Sequence, residues 1–320
     1  MSGKPLASIS LDLDNLWSYL KIHGDCGWET FPSFFDLIIP DVLDILNQLG
    51  LKITFFIVGQ DALLDKNLDS LRALTEQGHE LANHSFHHEP RFHLSPRSRI
   101  ETEILTAHEQ IMRLGAPRPL GFRGPGFGWS REVIEVLAEN DYLYDASTLP
   151  TYIGPLARAY YFKTSNLTEK DRWERRNLFG SFREGFRSNK AYIWQVESGL
   201  KLLEIPVTTL PLIKLPFHLS YLLYLGRVSV ALMFMYLEMG LILCRATKIA
   251  PSFLLHPLDF LDTDKIPELG FFPGMRLSLS RKVELFYRVI RILSGHFELV
   301  MMSTCARAIL NSGNIKIESI

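Results

Sequence analysis

Short apolar runs alternate with helix-spaced apolar positions through the first 145 residues. Ala7–Leu13 (ASISLDL) predicts a strand. In Pro40–Leu49, Val42, Leu43, Ile45, Leu46 and Leu49 share one face, and Gly50 follows as a stop, so a helix is predicted. Lys52–Val58 (KITFFIV) is β-branched and aromatic, which predicts a buried strand. Leu68–Gln77 predicts a helix ending at Gly78, and Glu80–Asn83 a short strand. Ser95 and Pro96 suit the cap and first position of a helix reaching Leu114. Gly121–Arg123 predicts a brief strand, and Ser130 caps a helix to Asn140.

The same rhythm returns late in the chain, with strands at Lys201–Pro206, Ser252–His256 and Glu298–Met301. Arg281–Leu293 is an amphipathic helix, and Ser303 suits the cap of a last one. A βαβα series of about seven strands predicts a parallel sheet in one domain, closed or nearly closed into a distorted (β/α)7 barrel. Chemistry in such barrels sits at the carboxyl ends of the strands.

Two segments break this pattern. Pro150–Gly199 reads as a long irregular insertion, with nine Lys/Arg and four Asp/Glu between Arg158 and Lys190. It also carries Tyr160, Tyr161, Trp173, Phe179 and Phe182. Leu219–Arg245 reads as one helix, apolar almost all round, with Arg227, Glu238 and Arg245 within about 20° of one another at 100° per residue. Such a helix is either buried against the barrel or lies in a membrane interface.

The composition, 47% hydrophobic and 22% charged over 320 residues, is that of a globular chain with a sizeable core. A net charge of −1 argues against a general nucleic-acid binder. Cys26, Cys244 and Cys305 have no metal or disulfide spacing, which fits a reducing compartment. Met1–Ser8 has no apolar signal core, so a cytoplasmic location is expected.

Candidate chemistry clusters after the predicted strands. Asp12 and Asp14 are two apart and share a face of the first strand, so they either hold a cation or are solvated loop acids. His84 and His88 (H-S-F-H-H) follow a later strand, and two imidazoles with a carboxylate suit zinc-type metals if the turn is tight. Arg123 lies in G-F-R-G-P-G-F, where the glycines permit close backbone approach to a ligand. Asp145 closes Y-L-Y-D and reads as a site acid or a helix cap. His256 ends S-F-L-L-H and reads as a proton donor or a satisfied core histidine.

In this order, D-x-D, H-S-x-x-H, R-x-P, Asp and L-x-H resemble the polysaccharide deacetylase family (NodB homology, carbohydrate esterase family 4) over about Ser8 to Pro257. The resemblance implies one divalent ion, zinc, held by Asp14, His84 and His88. It implies Asp12 as the general base toward the attacking water, oriented by Arg123. His256 would be the general acid toward the leaving amine, held in its tautomer by Asp145. Pro125, Gly126 and Phe127 would contact substrate, although here Gly126 follows the proline where the family usually has an aromatic. The implied activity is hydrolysis of an acetyl or formyl group from an amino sugar, free, within a glycan or lipid-linked. Two other readings stay open: an allantoinase-like small-molecule amidohydrolase, and an idle carbohydrate-binding barrel. The apolar helix and the basic insertion add expectations of peripheral contact with the inner face of a membrane and of a homo-oligomer.

Overall fold

The computed structural model describes residues 3–176, 178, 180–313 and 315–320, so Phe179 lies outside the described residues. The strands are β1 (Leu6–Leu13), β2 (Thr54–Ile57), β3 (Glu80–Asn83), β4 (Gly121–Phe122), β5 (Tyr144–Asp145), β6 (Tyr192–Gln195), β7 (Lys201–Glu204), β8 (Ser252–Leu255), β9 (Glu298–Val300) and β10 (Lys316–Ser319). The helices begin with α1 (Leu16–His23), α2 (Phe35–Gln48), α3 (Gly59–Leu63), α4 (Leu68–Glu76), α5 (Arg97–Arg113) and α6 (Arg131–Glu139). They continue with α7 (Gly154–Thr164), α8 (Glu169–Glu174), α9 (Leu219–Val228), α10 (Val230–Thr247), α11 (Leu279–His296) and α12 (Met302–Asn311).

The sheet runs β10-β6-β7-β5-β4-β3-β2-β1-β8, with β9 also on β1. Every pairing between these strands is parallel except β6 with β7. The chain leaving β7 nearly closes the ring. Ile205 N–H donates to Asp145 O, Val207 N–H to Thr148 O, and Thr208 N–H to Ser252 O of β8 at 3.2 Å. Ser252 N–H donates in return to Thr208 Oγ1 at 2.8 Å. The ring of β1, β2, β3, β4, β5, β7 and β8 is the distorted α/β barrel expected from the alternating pattern. Its largest core cluster takes Leu11, Phe55 and Leu255 from the strands and Leu46, Leu237 and Phe286 from the helices around them. All three cysteines are free thiols.

Several boundaries differ from the sequence reading. Helix α2 begins at Phe35 and carries Pro40 inside it, because Phe35, Ile38 and Ile39 extend the buried stripe backward. The residue capping α5 is Pro96 rather than Ser95, and Met301 rather than Ser303 precedes α12. The insertion is more ordered than expected. It holds α7, α8 and strand β6, and Tyr192 and Trp194 of β6 are buried in a second cluster with Phe122 and Leu137.

The basic residues of the insertion largely tie it down. Arg175 Nη1 donates to Ile22 O (2.6 Å) and Tyr161 Oη (2.8 Å), and Arg158 to Leu178 O (2.9 Å). The helix expected over Leu219–Arg245 is two helices. Ser229 is extended (φ −159°, ψ 121°) and its hydroxyl accepts from Leu232 N–H, capping α10 and ending α9. Arg227 therefore shares no helical stripe with Glu238 and Arg245.

Candidate active site

The metal-ligand candidates converge at the carboxyl ends of β1 and β3. Asp14 lies one residue past β1, where its N–H turns back to Asp12 O at 2.9 Å. Asn15 pins this turn. Its Oδ1 accepts from Leu16 N–H and Phe34 N–H, and its Nδ2 donates to Asp61 Oδ1 at 2.7 Å. Asp61 also accepts from Trp17 Nε1 (2.9 Å) and Asn67 Nδ2 (3.1 Å), and burial pushes its carboxyl up to about 7.

The turn after β3 is tight enough to bring both imidazoles together. Ser85 (φ 60°) and His88 (φ 50°) adopt left-handed backbone, a strain that persists only when neighbours fix it. Asn83 Oδ1 accepts from Ser85 N–H at 2.9 Å, and Glu103 of α5 accepts from Phe86 N–H (3.2 Å) and His87 N–H (2.9 Å). His84 Nδ1 donates to Arg123 O at 2.6 Å, which fixes the tautomer and leaves Nε2 as a lone-pair donor.

Nε2 of His84 lies 3.6 Å and Nε2 of His88 2.9 Å from Asp14 Oδ1. One donor atom from each of the three residues lies within 4.8 Å of the others. Asp14 Oδ1 is buried, and these two imidazole nitrogens are the groups it faces. Burial would raise the Asp14 carboxyl, but the imidazoles of His88, His84 and His256 outweigh it and bring it to about 2. Burial lowers His84, which keeps it neutral. A carboxylate and two imidazoles aimed at one point fit a divalent cation.

Asp12, on the same strand, faces the guanidinium of Arg123, whose Nη1 donates to Asp12 Oδ1 and to Ser10 Oγ (3.0 Å). Arg123 is 0% exposed, donates from Nε to Ala146 O (3.1 Å) and stacks 4.1 Å from the Phe56 ring centre. Such packing fixes the orientation of its fork. Gly124, Gly126 and Gly128 shape the turn that follows. Gly126 has φ 62°, and a Cβ on Gly124 would lie 2.0 Å from Gly128 O. Gly126 and Phe127 line a cavity of about 210 Å³ with Trp129, Leu149, Leu178 and Glu184, whereas Pro125 is buried and does not line it.

His256 follows β8 and is partly exposed. Its Nδ1 faces Ser220 Oγ of α9 at 3.1 Å, and its N–H donates to Asp259 Oδ2 at 2.9 Å. Asp145 does not hold His256. Its Oδ1 accepts from Ser147 Oγ at 2.6 Å, and it pairs in register with Glu204. Burial raises the carboxyls of both Asp145 and Glu204. Asp145 and Glu204 stand in register on the neighbouring strands β5 and β7, where their carboxyls face each other. The sequence reading also missed Tyr19, whose buried hydroxyl lacks a hydrogen bond and is held well up by burial and by the carboxylates of Asp14, Asp259 and Asp12. For Asp259 the signal was present, as the acid in H-P-L-D directly after the candidate histidine.

Fold and site together define a parallel α/β barrel with a two-histidine, one-carboxylate donor set at its strand ends. Residues 25–144 match the family model described as polysaccharide deacetylase. The match takes in His84, His88, Arg123 and Pro125–Phe127 and ends before Asp145 and His256.

A chitooligosaccharide deacetylase of Bradyrhizobium sp. (strain ANU 289) is 33% identical over 102 residues, 31% of this chain and 45% of the relative. A peptidoglycan deacetylase-like protein of Gibberella zeae is 31% identical over 165 residues, 49% of this chain and 46% of the relative. The chain thus spans less than half the length of these curated relatives. Among solved structures, a polysaccharide deacetylase fold from Mycobacterium smegmatis superposes with a TM-score of 0.61 at 18% identity, covering 98% of this chain and 93% of that one. An allantoinase, Puue, superposes with a TM-score of 0.56 at 17% identity, covering 96% and 91%. Both likenesses concern the fold.

Proposed function

We propose that this protein is a metal-dependent hydrolase that removes an acetyl or formyl group from the nitrogen of an amino sugar, with zinc held by Asp14, His84 and His88. The observation that carries this reading is the convergence of those three donors beside the buried Asp12–Arg123 pair. A divalent ion there supplies Lewis-acid polarisation of the acyl carbonyl and makes water more acidic.

Asp12 takes the proton from the attacking water. Arg123 pairs with Asp12 and fixes which carboxylate edge faces the site. His256, oriented through Nδ1 by Ser220, gives a proton from Nε2 to the departing amine. Gly126 and Phe127 present the cavity wall to the sugar. A lipid-linked amino sugar is the finer reading of the substrate, supported by the apolar helices at whose start Ser220 meets His256.

Metal analysis of the purified protein, followed by acetate and formate release from free, oligomeric and lipid-linked amino sugars, tests the proposal. Hydrolysis of allantoin with no amino-sugar turnover would replace it with the small-amide reading.

A further inference from the structure

We infer that the α9–α10 hairpin is a docking surface for an anionic lipid bilayer, a property independent of the reaction catalysed at the strand ends. The two helices run antiparallel. Tyr221 meets Tyr236 (ring centres 5.8 Å apart), and a Cβ on Gly226 would lie 2.9 Å from Met233 Sδ. Met233, Leu237, Leu241 and Cys244 bury one face of α10 in the barrel core. Among the described residues, the opposite face is left largely uncovered. Met235 is 64%, Ile242 56%, Met239 40% and Leu232 39% exposed, and Val228 and Tyr224 extend the surface onto α9 at 76% and 48%.

At 100° per residue the exposed apolar α10 positions, with Ala231 and Ala246, fall within about 100° of arc, and the exposed Arg245 lies at its edge. Only 33% of Val230–Thr247 is buried, although the helix is apolar and long enough to cross a membrane. Its inner face belongs to the core, so α10 can lie in an interface but cannot leave to span one.

Charge selects the occupant. Arg227 stands near the turn between the helices, Arg245 and Lys248 at the far end of α10, and all three are exposed. Arg288 of α11 lies over Phe234 with its guanidinium 4.0 Å from the ring centre. The only acid on the hairpin, Glu238, is occupied by His296 Nε2 at 2.8 Å. A second copy placed on this face would bring like charges together, whereas an anionic bilayer offers lipid to the apolar stripe and headgroups to the cations.

The test is sedimentation of the full chain with vesicles of phosphatidylcholine, with and without phosphatidylglycerol, over a salt series. We expect binding to the anionic vesicles that weakens as salt rises to about 0.5 M, where exposed charges are screened. Met235→Glu with Met239→Glu should lower the partition coefficient by about tenfold or more, since two apolar side chains are withdrawn from lipid. Arg245→Glu with Lys248→Glu should remove most of the salt-sensitive part. Met235→Ser with Met239→Ser serves if circular dichroism shows the glutamate pair unfolded. No binding at low salt, or equal binding by the folded double variants, overturns the inference. So does a dimer, seen by sedimentation equilibrium, that these substitutions dissociate while vesicles stay unbound. Because the readout is binding, the outcome is separate from the fate of the deacylase reading.

Discussion

Asp14 and Asp12 differ by two positions and by everything around them. Asp14 meets two imidazoles, while Asp12 meets a guanidinium. His84→Ala should therefore cut bound divalent metal sharply, measured by elemental analysis, and full occupancy in that variant would sink the ligand assignment. If Asp12 is the base proposed above, Asp12→Asn should keep the metal and lose about 10²–10⁴-fold in turnover. The opposite pattern, metal lost with Asp12→Asn and kept with Asp14→Asn, would reverse the two roles. Arg123→Ala leaves Asp12 buried without its partner, a change that typically costs about 3–5 kcal/mol, to be read as a lower urea midpoint. Ser220→Ala removes the hydroxyl facing His256 Nδ1. It should lower kcat and shift the basic limb of the pH–rate profile while metal content stays constant. An unchanged profile would leave Ser220 a packing residue.

Elements position these side chains through bonds that a linear reading passes over. The turn between α4 and β3 is tied to the start of β2 by His79, whose Nδ1 accepts from Ile53 N–H at 3.2 Å. Burial brings this imidazole down to about 4 from its ordinary 6.5. Between those values the unfolded chain binds the proton and the folded one does not, so the contribution to stability falls as pH drops from 6.5 toward 4. His79→Asn keeps an acceptor and does not titrate. Its unfolding free energy, measured in urea at several pH values, should depend less steeply on pH across that window. An identical slope would mean that His79 is not the group responsible. The alternation of strand and helix was legible because burial on both faces imposes it. The break at Ser229 was not, because its neighbours are apolar on either side and only packing on the barrel decides where the chain turns back.

At the scale of the molecule, closure depends on one short stretch. Thr208 both donates from its backbone to Ser252 O and accepts from Ser252 N–H. Thr208→Val keeps the shape and strands a buried N–H, which should cost about 1–3 kcal/mol in denaturant unfolding. A neutral effect would show that the ring does not rely on this junction. The insertion joins the same architecture at its end, where β6 adds antiparallel to β7 and Trp194 Nε1 donates to Glu204 Oε2 at 3.2 Å.

By itself the sequence determined the parallel barrel and the chemical groups available after each strand. Apolar runs, turn residues and the order of the D-x-D, H-S-x-x-H and L-x-H motifs are local properties. Tertiary structure alone decided which groups meet. Asp145 goes to Glu204 because β5 and β7 pair in register. His256 goes to Ser220 because α9, 36 positions earlier in the chain, starts over the end of β8. The apolar stretch after residue 218 has one face in the core and one outside, since a helix can bury only the side that packs against the sheet.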